Sequence, residues 1–127
     1  MIYGVGTDLI EISRIGRALQ RFGDRFARRI LCEPELKRFR GHRSPAAYLA
    51  KRFAAKEAFT KALGTGIHAP ANWHGVWVIN LGSGRPQLEF SSELKQLLEK
   101  KRIQRSHLTL SDERDMACAT VILETGD

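Results

Sequence analysis

Three side chains in this sequence have the types and spacing to do chemistry together: Asp8, Glu57 and Lys61. Glu57 and Lys61 stand four residues apart in Lys51-Arg-Phe-Ala-Ala-Lys-Glu-Ala-Phe-Thr-Lys-Ala-Leu-Gly-Thr-Gly66, so a helix puts them on one face. Asp8 interrupts an apolar stretch carrying Ile2, Val5, Leu9, Ile10 and Ile12, where an Asp is disfavoured and costly to bury unpaired. A carboxylate beside an ammonium, on a segment with little polar face of its own, can hold a metal ion and a phosphate together. The same residues also admit plainer readings. Glu and Lys at i and i+4 are the commonest surface helix pair, worth a few tenths of a kcal/mol. Asp8 would also serve as a turn residue or as the partner of one of many arginines.

The elements that position these residues follow from periodicity. Leu49, Phe53, Ala54, Ala58, Phe59, Ala62 and Leu63 run nearly all round a helix, as in a buried or interface helix. Ser44-Pro45 caps it, it runs to about Leu63, and Gly64-Thr65-Gly66 ends it. Residues 3–12 read as a strand, with Gly4 and Gly6 marking a bulge or a group that approaches the backbone closely. Ser13 is suited to N-cap a helix that ends at Gly23, followed by short helices over 24–31 and 33–40. Residues 73–81 and 87–90 read as strands joined by Gly82-Ser-Gly-Arg-Pro86. A helix over 92–101 and strands over 107–110 and 116–123, around the polar loop 111–115, complete the order. The fold class is α+β, an antiparallel sheet wrapped around a long central helix.

Composition narrows the function. At 127 residues the chain is expected to form a single domain, 1–127, with one core. No apolar run approaches the roughly 20 residues of a membrane span, and no secretory signal is evident. Cys32 and Cys118 lie far apart, Cys118 reading as a buried free thiol, which suggests a reduced, cytoplasmic protein without a structural zinc site. The formal net charge of +7 calls for an acidic partner. Arg14, Arg17 and Arg21 share one helical face, and Arg25, Arg28 and Arg29 continue it, a stripe suited to carboxylates or phosphates and equally compatible with a solvated surface.

Gly6-Thr-Asp-Leu-Ile-Glu-Ile-Ser-Arg-Ile15, Arg52-Phe-Ala-Ala-Lys-Glu-Ala-Phe-Thr-Lys-Ala-Leu-Gly-Thr-Gly-Ile67 and Leu108-Thr-Leu-Ser-Asp-Glu-Arg-Asp-Met-Ala-Cys-Ala-Thr-Val-Ile122 resemble holo-acyl-carrier-protein synthases, the small bacterial 4′-phosphopantetheinyl transferases. The three blocks span nearly the whole chain. The resemblance implies a 4′-phosphopantetheinyl transferase-like fold. It also implies transfer of 4′-phosphopantetheine from coenzyme A to a serine of apo acyl carrier protein, with release of 3′,5′-ADP, in support of fatty acid biosynthesis. By the same resemblance Asp8 and Glu57 bind Mg²⁺, and Lys61 acts with them on the phosphates. The base that takes the serine proton is either Glu57 or a metal-bound water oriented by Asp8 or Glu57. Coenzyme A contacts are expected from Arg52, Lys61, Gly64, Thr65, Gly66, Arg85, Pro86, His107 and Thr109. An acidic helix of the carrier is expected on Arg14, Arg17, Arg21 and Arg25, and the assembly is expected to be a homotrimer with active sites between subunits. Where many family members carry Ser-His-Ser, this chain has Ser111-Asp112-Glu113, so no role passes to a histidine there.

Two other functions fit parts of the sequence. A nonspecific nucleic-acid binder would explain the charge, but the aromatics are too few and scattered for a stacking platform. A catalytically silent carrier-binding module would use the arginine stripe alone and be indifferent to Asp8, Glu57 and Lys61. The conjunction of motifs favours the transferase.

Overall fold

The computed structural model describes residues 1–126. The elements are β1 (Ile2–Glu11), α1 (Ile12–Phe22), α2 (Asp24–Ile30), α3 (Glu33–Arg40), α4 (Pro45–Leu63), β2 (Val76–Asn80), β3 (Pro86–Phe90), α5 (Ser92–Lys100), β4 (Ile103–Asp112) and β5 (Met116–Thr125). Two antiparallel sheets, β1-β5-β4 and β2-β3, pack around α4. This is the expected α+β architecture.

Alternation sets the sheet faces. Ala117, Ala119, Val121 and Leu123 of β5 are buried towards α4, while the residues between them face outward. In register, Thr7, Thr120 and Thr109 form one outward row, with Val5, Ile122 and His107 beside it. Asp8, one residue from Thr7, lies on the opposite, helix-facing side.

Helix α4 owes its place to glycine and alanine. A Cβ added at Gly4 would stand 2.0 Å from the Ala62 carbonyl oxygen, and one at Gly6 would stand 2.0 Å from that of Ala58. The helix backbone therefore lies directly on β1, which no larger residue at Gly4 or Gly6 would allow. Close approach explains both glycines, and the register also shifts between Ile2 and Gly4.

A second device fixes the other side of α4. Lys56, fully buried, donates to Glu35 Oε1 at 2.8 Å, to the Ile30 carbonyl at 2.6 Å and to the Trp73 carbonyl at 2.8 Å. Glu35 also accepts from the backbone amides of Cys32 and Val78. One ion pair thus ties α4 to the end of α2, to α3, to β2 and to the loop before it, with its polar atoms satisfied.

Several boundaries differ from expectation, each for a local reason. Helix α1 starts at Ile12 rather than after Ser13; Glu11 stands at the cap position without a side-chain bond. The Ile12 amide is satisfied instead by the Asp115 carbonyl of the β4–β5 turn. Ser44 does precede α4, but its side chain makes no capping bond. Strand β4 is much longer than 107–110 and takes in Ser111 and Asp112, Asp112 pairing with Lys51 of α4 at 3.2 Å. Cys118 is half-buried on the outer sheet face rather than in the core.

Candidate active site

Strand β1 and helix α4 bring Asp8, Glu57 and Lys61 together. Lys61 Nζ donates to Asp8 Oδ1 and to the Thr7 carbonyl, each at 3.0 Å. The ion pair thus joins helix to strand; among the described residues Lys61 makes none with Glu57, its neighbour on the same face. Lys61 is 53 % exposed and the Asp8 side chain 16 %. Burial pushes the Glu57 carboxyl above its usual range and the charge on Asp8 adds to the effect, against the opposing pull of Lys61 and Arg14. Two carboxylates and an ammonium therefore share one field, and Arg14, the first arginine of the α1 stripe, reaches into it.

The donor set decides which metal would fit. Among the described residues no group of three or more His, Cys, Asp or Glu could hold an ion. Two carboxylates suit an oxygen-seeking ion such as Mg²⁺, which completes its shell with phosphates and water, and do not suit zinc. Asp8 and Glu57 would be its protein ligands.

The remaining candidates fall into separate places. Arg85, Pro86 and His107 line one groove of about 380 Å³ between β3 and β4, together with Arg105 and Ser106. His107 and Arg105 both contact Glu124. Thr109 stands on the outer face of the sheet. Asp8 pairs with Ala119, which on its other side pairs with Leu110. His107 is thus roughly 10 Å along and roughly 10 Å across from Asp8, with its side chain on the opposite sheet face. One copy of the chain keeps the groove and the acidic cluster apart.

Two of the expected contacts have close neighbours of their own. Arg52 is 4 % exposed, stacked over Tyr48 and donating to Asn80 Oδ1 at 2.8 Å, and Asn80 pairs with Pro86 across the β2–β3 ladder. The Arg52 Nε is buried without a partner. The amides of Gly64, Thr65 and Gly66 all turn back to the Thr60 carbonyl. With Gly64 at φ +89°, they form a helix C-cap.

Arg14, Arg17, Arg21 and Arg25 are all exposed along α1 and α2. A roomier cavity of about 520 Å³ lies elsewhere, lined by Arg28, Leu31, Cys32, Leu36, His74 and Trp77. Burial pushes the Cys32 thiol up, so no thiolate nucleophile stands there. Sequence reasoning missed Lys56, Glu35 and Arg105. The burial of Lys56 was hinted at by its place on a helix that is apolar nearly all round.

Fold and site together define a phosphopantetheinyl-transferase-type protein. The model of the 4′-phosphopantetheinyl transferase superfamily matches residues 4–121. The holo-[acyl-carrier-protein] synthase of Nitrosospira multiformis is 50 % identical over 124 residues, covering 98 % of this chain and 99 % of that protein. The Vibrio cholerae protein of the same name is 48 % identical with 98 % of both covered. Among solved structures, the Neisseria meningitidis holo-[acyl-carrier-protein] synthase superposes with a TM-score of 0.95 at 43 % identity, covering 98 % of this chain and all of that one. A Bacillus anthracis synthase, solved in complex with CoA (3′,5′-ADP), gives 0.83 at 37 % identity, covering 99 % of each chain. The chain belongs to the holo-acyl-carrier-protein synthase family and is an enzyme of that kind.

Proposed function

We propose that the protein transfers 4′-phosphopantetheine from coenzyme A to a serine of apo acyl carrier protein, releasing 3′,5′-ADP and so supplying fatty acid biosynthesis. The observation that carries this reading is the convergence of Asp8, Glu57 and Lys61 where the backbones of β1 and α4 touch. The serine oxygen attacks the β-phosphorus, the bond to the bridging oxygen breaks, and 3′,5′-ADP departs with the electron pair. In this reading Glu57, whose burial and neighbour raise its proton affinity, accepts the serine proton, directly or through a water that it or Asp8 orients. Lys61 supplies positive charge to the phosphates as a flexible point charge. Mg²⁺ held by Asp8 and Glu57 would neutralise the pyrophosphate and stabilise charge on the leaving oxygen.

The nucleotide end of coenzyme A finds a complementary surface in the groove of Arg85, Pro86 and His107, with Thr109 on the adjoining sheet face. The opposite-face placement of groove and acidic cluster favours a site composed from two copies, in a homotrimer. Val5 and Leu9, 56 % and 63 % exposed on the outer face of the sheet, would be covered by such an assembly. The carrier docks its acidic helix on Arg14, Arg17, Arg21 and Arg25, a stripe whose first member shares the field of Glu57. The whole chain acts as one domain, around a continuous cluster of buried residues. It works in the cytoplasm, where free Cys32 and Cys118 stay reduced. No helix among the described residues is long and apolar enough to cross a membrane.

The test is the intact mass of apo acyl carrier protein after incubation with the enzyme, coenzyme A and Mg²⁺. A gain of one phosphopantetheine that EDTA prevents is expected. An unchanged mass, with a carrier that another transferase accepts, would refute the reading.

A further inference from the structure

Lys61 occupies a carboxylate oxygen that a metal ion at Asp8 would compete for. Its Nζ lies 3.0 Å from Asp8 Oδ1 and 3.0 Å from the Thr7 carbonyl oxygen. Among the described residues no other cation forms an ion pair with Asp8 or Glu57. In the protein by itself the ammonium is the countercharge bonded to Asp8.

We propose that Lys61 holds the place of a divalent cation beside Asp8 and passes to the phosphates of coenzyme A when that cation arrives, so that metal and coenzyme A bind cooperatively. The inference rests on the function proposed above and goes beyond it, by giving Lys61 two positions and a reason to change between them. The Asp8 backbone is held in the sheet by β5, next to the point where α4 touches β1 at Gly6, so its carboxylate has only the reach of a short side chain. Lys61 can move. It is half exposed, sits one turn before the helix end at Gly64, and carries its charge on a flexible four-carbon stem. An ammonium and a divalent ion on one carboxylate repel, so the arrival of one favours departure of the other. The freed ammonium then meets anionic phosphates at the same place. Because coupling is reciprocal, metal must raise the affinity for coenzyme A by the same factor that coenzyme A raises the affinity for metal.

A lysine that merely braced the site would, on removal, weaken binding of both ligands. The exchange gives opposite signs. Mn²⁺, which takes oxygen ligands as Mg²⁺ does, is titrated by calorimetry and electron paramagnetic resonance into the whole protein and into Lys61→Met, with and without coenzyme A. Coenzyme A is also titrated with Mn²⁺ present. With Lys61→Met, Mn²⁺ by itself is expected to bind about fivefold more tightly, as expected for loss of one partly exposed competing cation. Coenzyme A should bind about tenfold more weakly to this variant when Mn²⁺ is present, having lost a charge-assisted contact. The enhancement of Mn²⁺ affinity by coenzyme A should shrink by about the same fivefold.

Lys61→Met binding Mn²⁺ no more tightly than the wild type overturns the exchange, even if coenzyme A binding is weakened. Wild-type protein that binds no Mn²⁺ with or without coenzyme A, or an Asp8→Asn variant that binds it as well as wild type, overturns the assignment of the metal to Asp8 and the exchange with it.

Discussion

Helix α4 carries two lysine–carboxylate pairs of nearly equal length in opposite surroundings. Lys56 and Glu35 meet at 2.8 Å with neither side chain exposed; Lys61 and Asp8 meet at 3.0 Å with the lysine 53 % exposed. The buried pair satisfies every donor and acceptor it brings, through carbonyls and amides of four segments, and has no exit for either charge. The outer pair shares its field with a second carboxylate and opens to solvent. An ion pair sealed in the core fixes position, because breaking it leaves an uncompensated charge. A half-exposed one contributes little to stability and is free to exchange partners. Lys56 is a structural lysine, and Lys61, five positions on, is the one proposed for chemistry.

The largest expected effect is on the sealed pair. Lys56→Met leaves the buried Glu35 carboxylate without its countercharge and takes a donor from the Ile30 and Trp73 carbonyls, and is expected to cost about 3–5 kcal/mol in urea unfolding. Lys61→Met is expected to cost under about 1 kcal/mol. Equal losses for the two would remove the contrast.

The smallest expected effect lies in the pH dependence of stability around Glu57. Its folded pKa is raised by burial first and by Asp8 second. A carboxyl whose folded pKa is raised contributes stability below its unfolded pKa and loses it as pH rises through the folded value. At neutral pH the ionised Glu57 is therefore a burden on the fold. Glu57→Gln should raise the melting temperature slightly at pH 7 and leave it unchanged below the ordinary glutamate range. A gain that persists unchanged in acid would show that charge is not its source.

How much of this was legible in the sequence depends on where each partner sits. The strand with its two glycines and the helix apolar all round could be read locally, and so could the closeness that Gly4 and Gly6 serve. The blocks around Asp8, Glu57 and Lys61 carried the family. The start of α1 was not readable, since the group that satisfies Ile12 is the carbonyl of Asp115, more than a hundred residues on. The lock on Lys56 was hidden for the same reason, its partners coming from Ile30, Glu35 and Trp73. Arg52 stood out by residue type, but its stacking on Tyr48 and its bond to Asn80 needed the fold. Alternation along each strand was visible, but the placement of His107 and Thr109 on the face opposite Asp8 needed the register of three strands.

The most direct test of the central claim, that chemistry resides in the open cluster of Asp8, Glu57 and Lys61, is the rate of carrier mass gain for Asp8→Asn and Glu57→Gln, with each variant's melting temperature measured alongside. Both are expected to lose about a hundredfold or more in turnover, from lost stabilisation of phosphate charge, while melting close to the wild type. Turnover near the wild-type rate in either folded variant would contradict the account.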